Sequence, residues 1–422
     1  METPSTVGII GAGLVGLCTA LEFQAQGQHV TLIDADEPGK GASFGNGGFI
    51  ATELIDPLAT PANLKRGINL LRDPDGALSI PSGNLGQSLP WLLRFALAAR
   101  PKAVEKSRHA LASLLREAVP AWQTLLTRHN LQQHLLPTHY LRVWESGLGQ
   151  TDARHEQSFY RNWGIDAQFL DNKAVTDLEP ALRDTINHAL LLPHAHRVRD
   201  PFQLCQALLA RFREAGGLLL QARVSAIRPA NGLVTLDAGN REHRFSRVVL
   251  CAGVHSDRLL KPLGLRVPLM AERGYHLDLP GVQGLLKGPI CSAERNVFIS
   301  PLGEGLRIVG FSELGGTRLP PNPERYDSLR RHLGVVLPQT IPQLEHAGTW
   351  MGMRPTLPDS RPIIDTHPQH PQLGFVFGHQ HTGVTLAALS AQLIAARMVQ
   401  GTTPIDLKPF AADRFALSGA LR

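Results

Sequence analysis

Apolar positions along the chain follow two rhythms, and the switches between them mark the elements. Val7-Gly8-Ile9-Ile10 and Val30-Thr31-Leu32-Ile33 are short unbroken runs, the signature of strands buried on both faces, and Leu17–Phe23 between them reads as a helix. Leu111, Leu115, Ala118, Trp122 and Leu125 recur at helical spacing and predict a long helix with one buried face. Trp91–Leu97 is apolar on nearly every side and reads either as a core helix or as a patch that touches a membrane. A strand is expected at Tyr140–Trp144 and a helix around Thr151–Trp163. Asp200 followed by Pro201 marks a helix start, and Gly216-Gly217 marks its end. Val224 lies in a strand that turns through Asn231-Gly232 as a hairpin. Val248-Val249-Leu250 is another buried run, closing on the small residues Cys251-Ala252-Gly253. From about 259 to 347 the pattern alternates: Leu277 and Leu279, then Val297, Ile299 and Leu306, Ile308, Val309 as a hairpin, with a helix at Leu329–Leu337. Leu386–Met398 is a final apolar helix. No fixed-period repeat is present.

The first run leads into Gly11, Gly13 and Gly16, spaced Gly-x-Gly-x-x-Gly. A chain with 40 glycines makes such clusters by chance, so context decides. Here the triad leaves a strand, enters a helix, and is followed by Asp34 after 34 − 11 = 23 positions, as a dinucleotide site requires. Gly11 permits the sharp turn, Gly13 lets backbone approach a pyrophosphate, and Gly16 brings helix and strand together, with Ala12, Leu14 and Val15 between them. Asp34, with Ala35 beside it, can accept both ribose hydroxyls and would repel a 2′-phosphate, which disfavours NADP. NAD and FAD remain open at this point.

Composition narrows the class further. At 422 residues and 43% hydrophobic, the chain can hold about two domains with substantial cores. The net charge of +6 comes without a block of like charges, so no nucleic-acid partner is expected. Cys18, Cys205, Cys251 and Cys291 are widely spaced with no Cys-x-x-Cys, which argues against a metal site or disulfide framework. The opening apolar run lacks a basic leader, and no run of about 20 apolar residues occurs, so a cytoplasmic protein is expected.

A second glycine-rich stretch, Ser43-Phe44-Gly45-Asn46-Gly47-Gly48, can lay backbone N–H groups against a ligand. With it the chain resembles the FAD-dependent amino-acid oxidoreductases of the D-amino acid oxidase and glycine oxidase superfamily, most of all the bacterial D-amino acid dehydrogenases. The resemblance rests also on Gly352-Met353-Arg354-Pro355 with Pro358-Asp359, and on Gly378-His379 leading through Thr382 to Gly383-Val384-Thr385. It is dense at 6–50, 173–275 and 350–400 and thin at 51–150.

What the resemblance implies is a mixed α/β fold. A discontinuous Rossmann-like FAD-binding domain (1–88, 170–258 and 348–422) carries an antiparallel-sheet substrate domain (89–169 and 259–347). FAD would be held by the first glycine turn, Asp34, Ser43, Asn46, Gly47, Gly48, Val224, Ala252, Gly253 and the segment from Gly378 to Thr385. Covalent relatives use a His in the second loop or a Cys near the Arg-Pro turn, and neither stands here, so noncovalent FAD is expected. Arg354 is assigned to the substrate carboxylate, because a planar guanidinium matches it with two parallel hydrogen bonds; a plain salt bridge, as open to Arg307 and Arg361, is the alternative. Tyr275 and Gly48 are the other substrate candidates, Tyr275 through its hydroxyl unless it only pairs within the sheet. His379 is expected to line the flavin, with His381 ambiguous. The implied reaction is hydride transfer from Cα of a D-amino acid, D-proline or hydroxyproline among them, to the flavin, with oxygen or a quinone-linked carrier as final acceptor. A glycine or sarcosine oxidase, and a noncatalytic dinucleotide-binding protein, are the alternatives.

Overall fold

The computed structural model describes residues 6–73 and 75–415. The expected domain limits at 1–5 and 416–422 lie outside the described residues. The first buried run is the strand Thr6–Ile10, flanked by parallel strands His29–Asp34 and Arg247–Leu250. Around them a six-stranded sheet forms in the order 363–366, 373–377, 247–250, 6–10, 29–34, 218–221, parallel except at its first edge. The helix Leu14–Ala25 covers one face and packs against the final helix Gly383–Val399. That final helix is long and apolar enough to cross a membrane, yet it is mostly buried inside the protein. Trp122 explains part of that burial: it sits fully inside on the helix Pro101–Arg128 and its Nε1 donates to the Val384 carbonyl at 2.9 Å.

A ten-stranded, largely antiparallel sheet forms the other half, running from Gly348–Thr356 through Met270–Pro280 and the hairpin Val297–Leu302/Gly305–Glu313 to Leu135–Trp144, His188–Val198 and Phe49–Ile50. Its membership departs from the expected limits. Strands 188–198 and 348–356 were placed with the FAD-binding segments, but both are paired into this sheet. Their sequences carry no local sign of this, because the partners that pair them into the sheet, 135–144 for the first and 270–278 for the second, lie far along the chain.

Local signals were reliable where they rest on backbone chemistry. Asp200 caps the helix Pro201–Glu214, accepting from Phe202 N at 2.8 Å and Gln203 N at 3.0 Å. Asn231 and Gly232 both take the left-handed conformation, joining strands Val224–Ala230 and Leu233–Ala238 as a two-residue turn requires. The helix expected from Leu329 begins earlier, at Pro323, where the Asn322 side chain caps Glu324 N.

The apolar stretch 91–97 belongs to the helix Leu85–Ala98, and it is not a core helix. Trp91 is 6% exposed and stacks on Phe95 at 5.1 Å, whereas Leu85, Leu89, Leu93 and Leu97, four residues apart, are each more than half exposed. One face is therefore core and the opposite face a leucine row in solvent.

Candidate active site

A single cavity of about 1010 Å³ runs from the tips of the parallel strands into the antiparallel sheet. Gly11, Gly13, Leu14, Val15, Asp34 and Ala35 line its first end, with Ser43, Asn46 and Gly47 next and Gly383 and Val384 opposite. Gly11 has φ +107°, and a Cβ there would strike the Cys251 carbonyl; one at Gly16 would overlap the Gly11 carbonyl oxygen. The turn is thus closed to any side chain at either position. Leu14 N donates to Ser43 Oγ at 3.0 Å, which ties the two glycine loops together. Asp34 accepts from Ala12 N at 2.6 Å and Asp36 N at 3.0 Å, so its carboxylate is fixed at the sheet edge. Asn46 Oδ1 accepts from Gly48 N at 2.8 Å, shaping the second loop.

Two helix N-termini open onto this space. Neither the helix starting at Leu14 nor the one starting at Gly383 has a side-chain cap in its N-cap residue. Their first-turn N–H groups and partial positive charge are disposed to receive an anionic or electron-rich ligand. Ala51 N donates to Thr385 Oγ1 at 2.9 Å and thereby locks the strand after the second loop onto the final helix.

Several residues expected at a ligand have structural places. Gly48, at φ +74°, packs against the Val198 carbonyl, while Gly47 and Phe49 form the cavity wall. Ala12, Gly378, Thr382 and Thr385 shape the backbone behind the wall, whereas Val224, Ala252 and Gly253 line it. Tyr275 requires a correction. It is fully buried on the far face of its strand, donating to Glu313 Oε1 at 2.9 Å and accepting from Asn322 N at 3.1 Å. Strand alternation sends Glu272 and Gly274 to the cavity and Arg273 and Tyr275 away from it.

Arg354 does reach the cavity. Its Nη1 donates to Glu272 Oε1 at 3.1 Å and to the Phe311 carbonyl at 2.8 Å, and Gly274 gives the guanidinium room that a Cβ would fill. Glu272 was missed in the sequence. Burial opposes its ionisation, but His381, Arg354 and the Ser312 hydroxyl hold its carboxyl well below the usual range. His381 Nε2 lies 3.1 Å from Glu272 Oε1, off the hydrogen-bonding direction. His379 lines the cavity, fully buried, and burial pushes it down to about 4, so its ring is neutral near pH 7 and pairs with Ser390 Oγ at 2.9 Å. The rival arginines are structural: Arg361 pairs with Asp359, and Arg307 pairs with Asp278. Arg307 also holds the second glycine loop, donating to the Phe44 and Asn46 carbonyls at 2.7 and 2.9 Å.

At the opposite wall Glu53 is buried and raised to about 8, chiefly by burial. Its folded value exceeds the unfolded one, so the folded state holds this proton longer, and stability falls as pH rises from about 4.5 to about 8. Glu53→Gln should therefore melt progressively higher than the parent across that window, by a margin on the order of a few kcal/mol at pH 8. Parallel thermal unfolding at pH 5 and pH 8 checks it; an equal gap at both would contradict it.

The sequence pattern of the FAD dependent oxidoreductase family fits residues 6–397. A D-amino-acid oxidase of Bradyrhizobium diazoefficiens is 31% identical over 97% of this chain and 98% of its own length. The D-amino acid dehydrogenase 2 of Ralstonia nicotianae is 28% identical over 97% and 100%. Among solved structures, glycine oxidase from Geobacillus kaustophilus superposes with a TM-score of 0.77 at 19% identity, covering 97% of this chain and 99% of that one.

Proposed function

The chain belongs to the FAD dependent oxidoreductase family, and from that premise we propose that it oxidises a D-amino acid at its Cα–N bond. The observation that carries this reading is the continuity of one cavity from Asp34, past two open helix N-termini, to the guanidinium of Arg354. FAD, when bound, supplies the acceptor for the hydride that leaves Cα. Gly11 to Val15 and Asp34 are the residues for its adenosine diphosphate part, and Ser43 to Gly47 with Gly383 and Val384 for its ring end. Arg354 takes the substrate carboxylate and fixes which face of Cα is presented. The first-turn N–H groups at Gly383 and Val384 would stabilise the negative charge that the cofactor gains on accepting the hydride. Neutral His379 holds the wall and moves no proton near pH 7. The product is an imino acid that water converts to a keto acid and ammonia; a ring substrate such as D-proline or D-hydroxyproline would leave a ring imine. Dye reduction by D-amino acids, with stoichiometric keto acid and ammonia, tests this, and activity only with L-isomers would overturn it.

The FAD is held noncovalently in this reading, since no His stands in the second glycine loop and no Cys near the Arg354-Pro355 turn; of the cysteines that line the cavity, Cys251 lies against the first glycine turn and Cys291 lies near Tyr140 and Arg142. Acid precipitation should leave the yellow colour in the supernatant; a yellow pellet would refute it.

For the final electron acceptor, a membrane quinone carrier is supported by the helix Leu85–Ala98. Its inner residues Trp91, Leu92 and Phe95 line the cavity while its leucine row faces solvent. Co-sedimentation with anionic vesicles should be lost in Leu89→Glu/Leu93→Glu; retention of soluble protein in the parent, with peroxide formed in air, would favour oxygen instead.

A further inference from the structure

His381 lines the cavity from the short turn Gln380–Thr382, two residues before the start of the helix Gly383–Val399. Gln380 is left-handed there, at φ +51°, and its Nε2 donates to the Leu357 carbonyl at 2.6 Å. Thr382 Oγ1 donates back to the His379 carbonyl at 2.8 Å. A left-handed residue other than glycine costs energy, so the surroundings hold this turn and with it the imidazole.

Glu272 Oε1 lies 3.1 Å from Arg354 Nη1 and 3.1 Å from His381 Nε2. Guanidinium and imidazole are therefore no farther apart than those two contacts laid end to end. Arg354 Nη1 spends its two hydrogens on Glu272 and on the Phe311 carbonyl. The edge formed by Nε and Nη2, which meets a carboxylate side-on, keeps no hydrogen-bond partner among the described residues. An α-amino group is one carbon away from its carboxylate, so a substrate on that edge carries its nitrogen into the neighbourhood of His381.

The two ring nitrogens differ. Nε2 is buried against the Glu272 carboxylate, which favours the tautomer with its proton there. The side chain is 33% exposed, and Nδ1 forms no hydrogen bond among the described residues. The charged groups facing the ring are Glu272 on the strand Met270–Pro280 and Arg354 on the strand Gly348–Thr356. On its own turn, His379 is turned to Ser390. Burial opposes ionisation of Glu272, but His381 and Arg354 hold it ionised, and its charge steadies an imidazolium beside it.

We propose that His381 takes a proton from the substrate ammonium as the hydride leaves Cα. The proposal rests on the reading above that Arg354 holds the α-carboxylate. One N–H bond breaks; its proton goes to Nδ1 and its electron pair becomes the second bond of C=N. The Cα–H bond breaks with it, and that pair leaves as hydride to the bound FAD. The amino acid thereby loses two electrons, and water later takes the proton from the imidazolium.

The test is the pH dependence of the limiting rate of anaerobic flavin reduction in the parent and in His381→Gln. In the parent, the acid limb should be the same for D-alanine and the less basic D-asparagine, because a protein group sets it. In His381→Gln the limb should follow each substrate's own amine, falling about tenfold per pH unit, which makes the loss near pH 7 about 100-fold and closes it at alkaline pH. A parent limb that follows the amine, or a loss in the variant equal at every pH, overturns the proposal. Binding of 2-aminoisobutyrate, which has carboxylate and amine but no Cα–H, reads the same contact without turnover and without a variant. Its affinity for the parent should weaken on acidification, as a protonated imidazole meets the ammonium, whereas that of isobutyrate should not. Equal pH dependence of the two overturns the proposal. If no D-amino acid bleaches the flavin at any pH, the D-amino acid reading fails, and the 2-aminoisobutyrate comparison still decides this one.

Discussion

Replacing Arg354 by alanine raises the Michaelis constant for the amino acid by about 100-fold or more, while the protein stays yellow. The size follows from removing a charge-assisted, two-pronged contact. The colour persists because the segments proposed for the cofactor, 11–15, 34 and 43–47, share no hydrogen bond with the Arg354 guanidinium. One complication can be separated. Arg354 also partners the buried Glu272, so its loss leaves a carboxylate with only His381, Ser312 and Thr356 and lowers stability as well. Arg354→Met combined with Glu272→Gln removes both charges, so it should recover melting temperature without recovering substrate affinity. Steady-state kinetics and thermal unfolding of the two variants check both halves; an unchanged Michaelis constant in Arg354→Ala would end the assignment.

The second large effect is at Gly16. Alanine there places a methyl group on the Gly11 carbonyl oxygen, which belongs to backbone and cannot swing aside. The glycine turn must open, and with it the N–H groups of the helix Leu14–Ala25 that face the cavity. Gly16→Ala should purify largely colourless, with affinity for added FAD lowered by about 100-fold or more, a value consistent with a lost turn geometry of a few kcal/mol. Flavin fluorescence quenching measures it directly. Gly27→Ala is the control: that glycine is left-handed, at φ +74°, but nothing lies within reach of a Cβ, so only stability should suffer.

These sites show what sequence can and cannot locate. The first glycine turn and Asp34 were legible because the whole unit is local: strand, turn, helix and strand lie within 29 residues, 6–34, and each has its own periodicity. The caps and hairpin at 200 and 231–232 were legible for the same reason, since a single residue's backbone preference decides them. Tyr275 was misplaced because its strand is buried on both faces: Met270 to Leu277 are all inside, so no polar side marks which residues turn to the cavity. Glu272 and Glu53 were passed over because their partners are far along the chain. Arg354 is 82 positions from Glu272, and Arg142 reaches Glu53 only once the large sheet has formed. The role of Arg307 in holding the second glycine loop spans 261 and 263 positions and has no local trace.

The most direct test is anaerobic titration of the purified yellow protein with D-amino acids, followed at the flavin absorption bands. The account predicts stoichiometric bleaching by D-amino acids, no bleaching by their L-isomers, and loss of bleaching at low substrate in Arg354→Ala. A flavin that stays oxidised with every D-amino acid would contradict it.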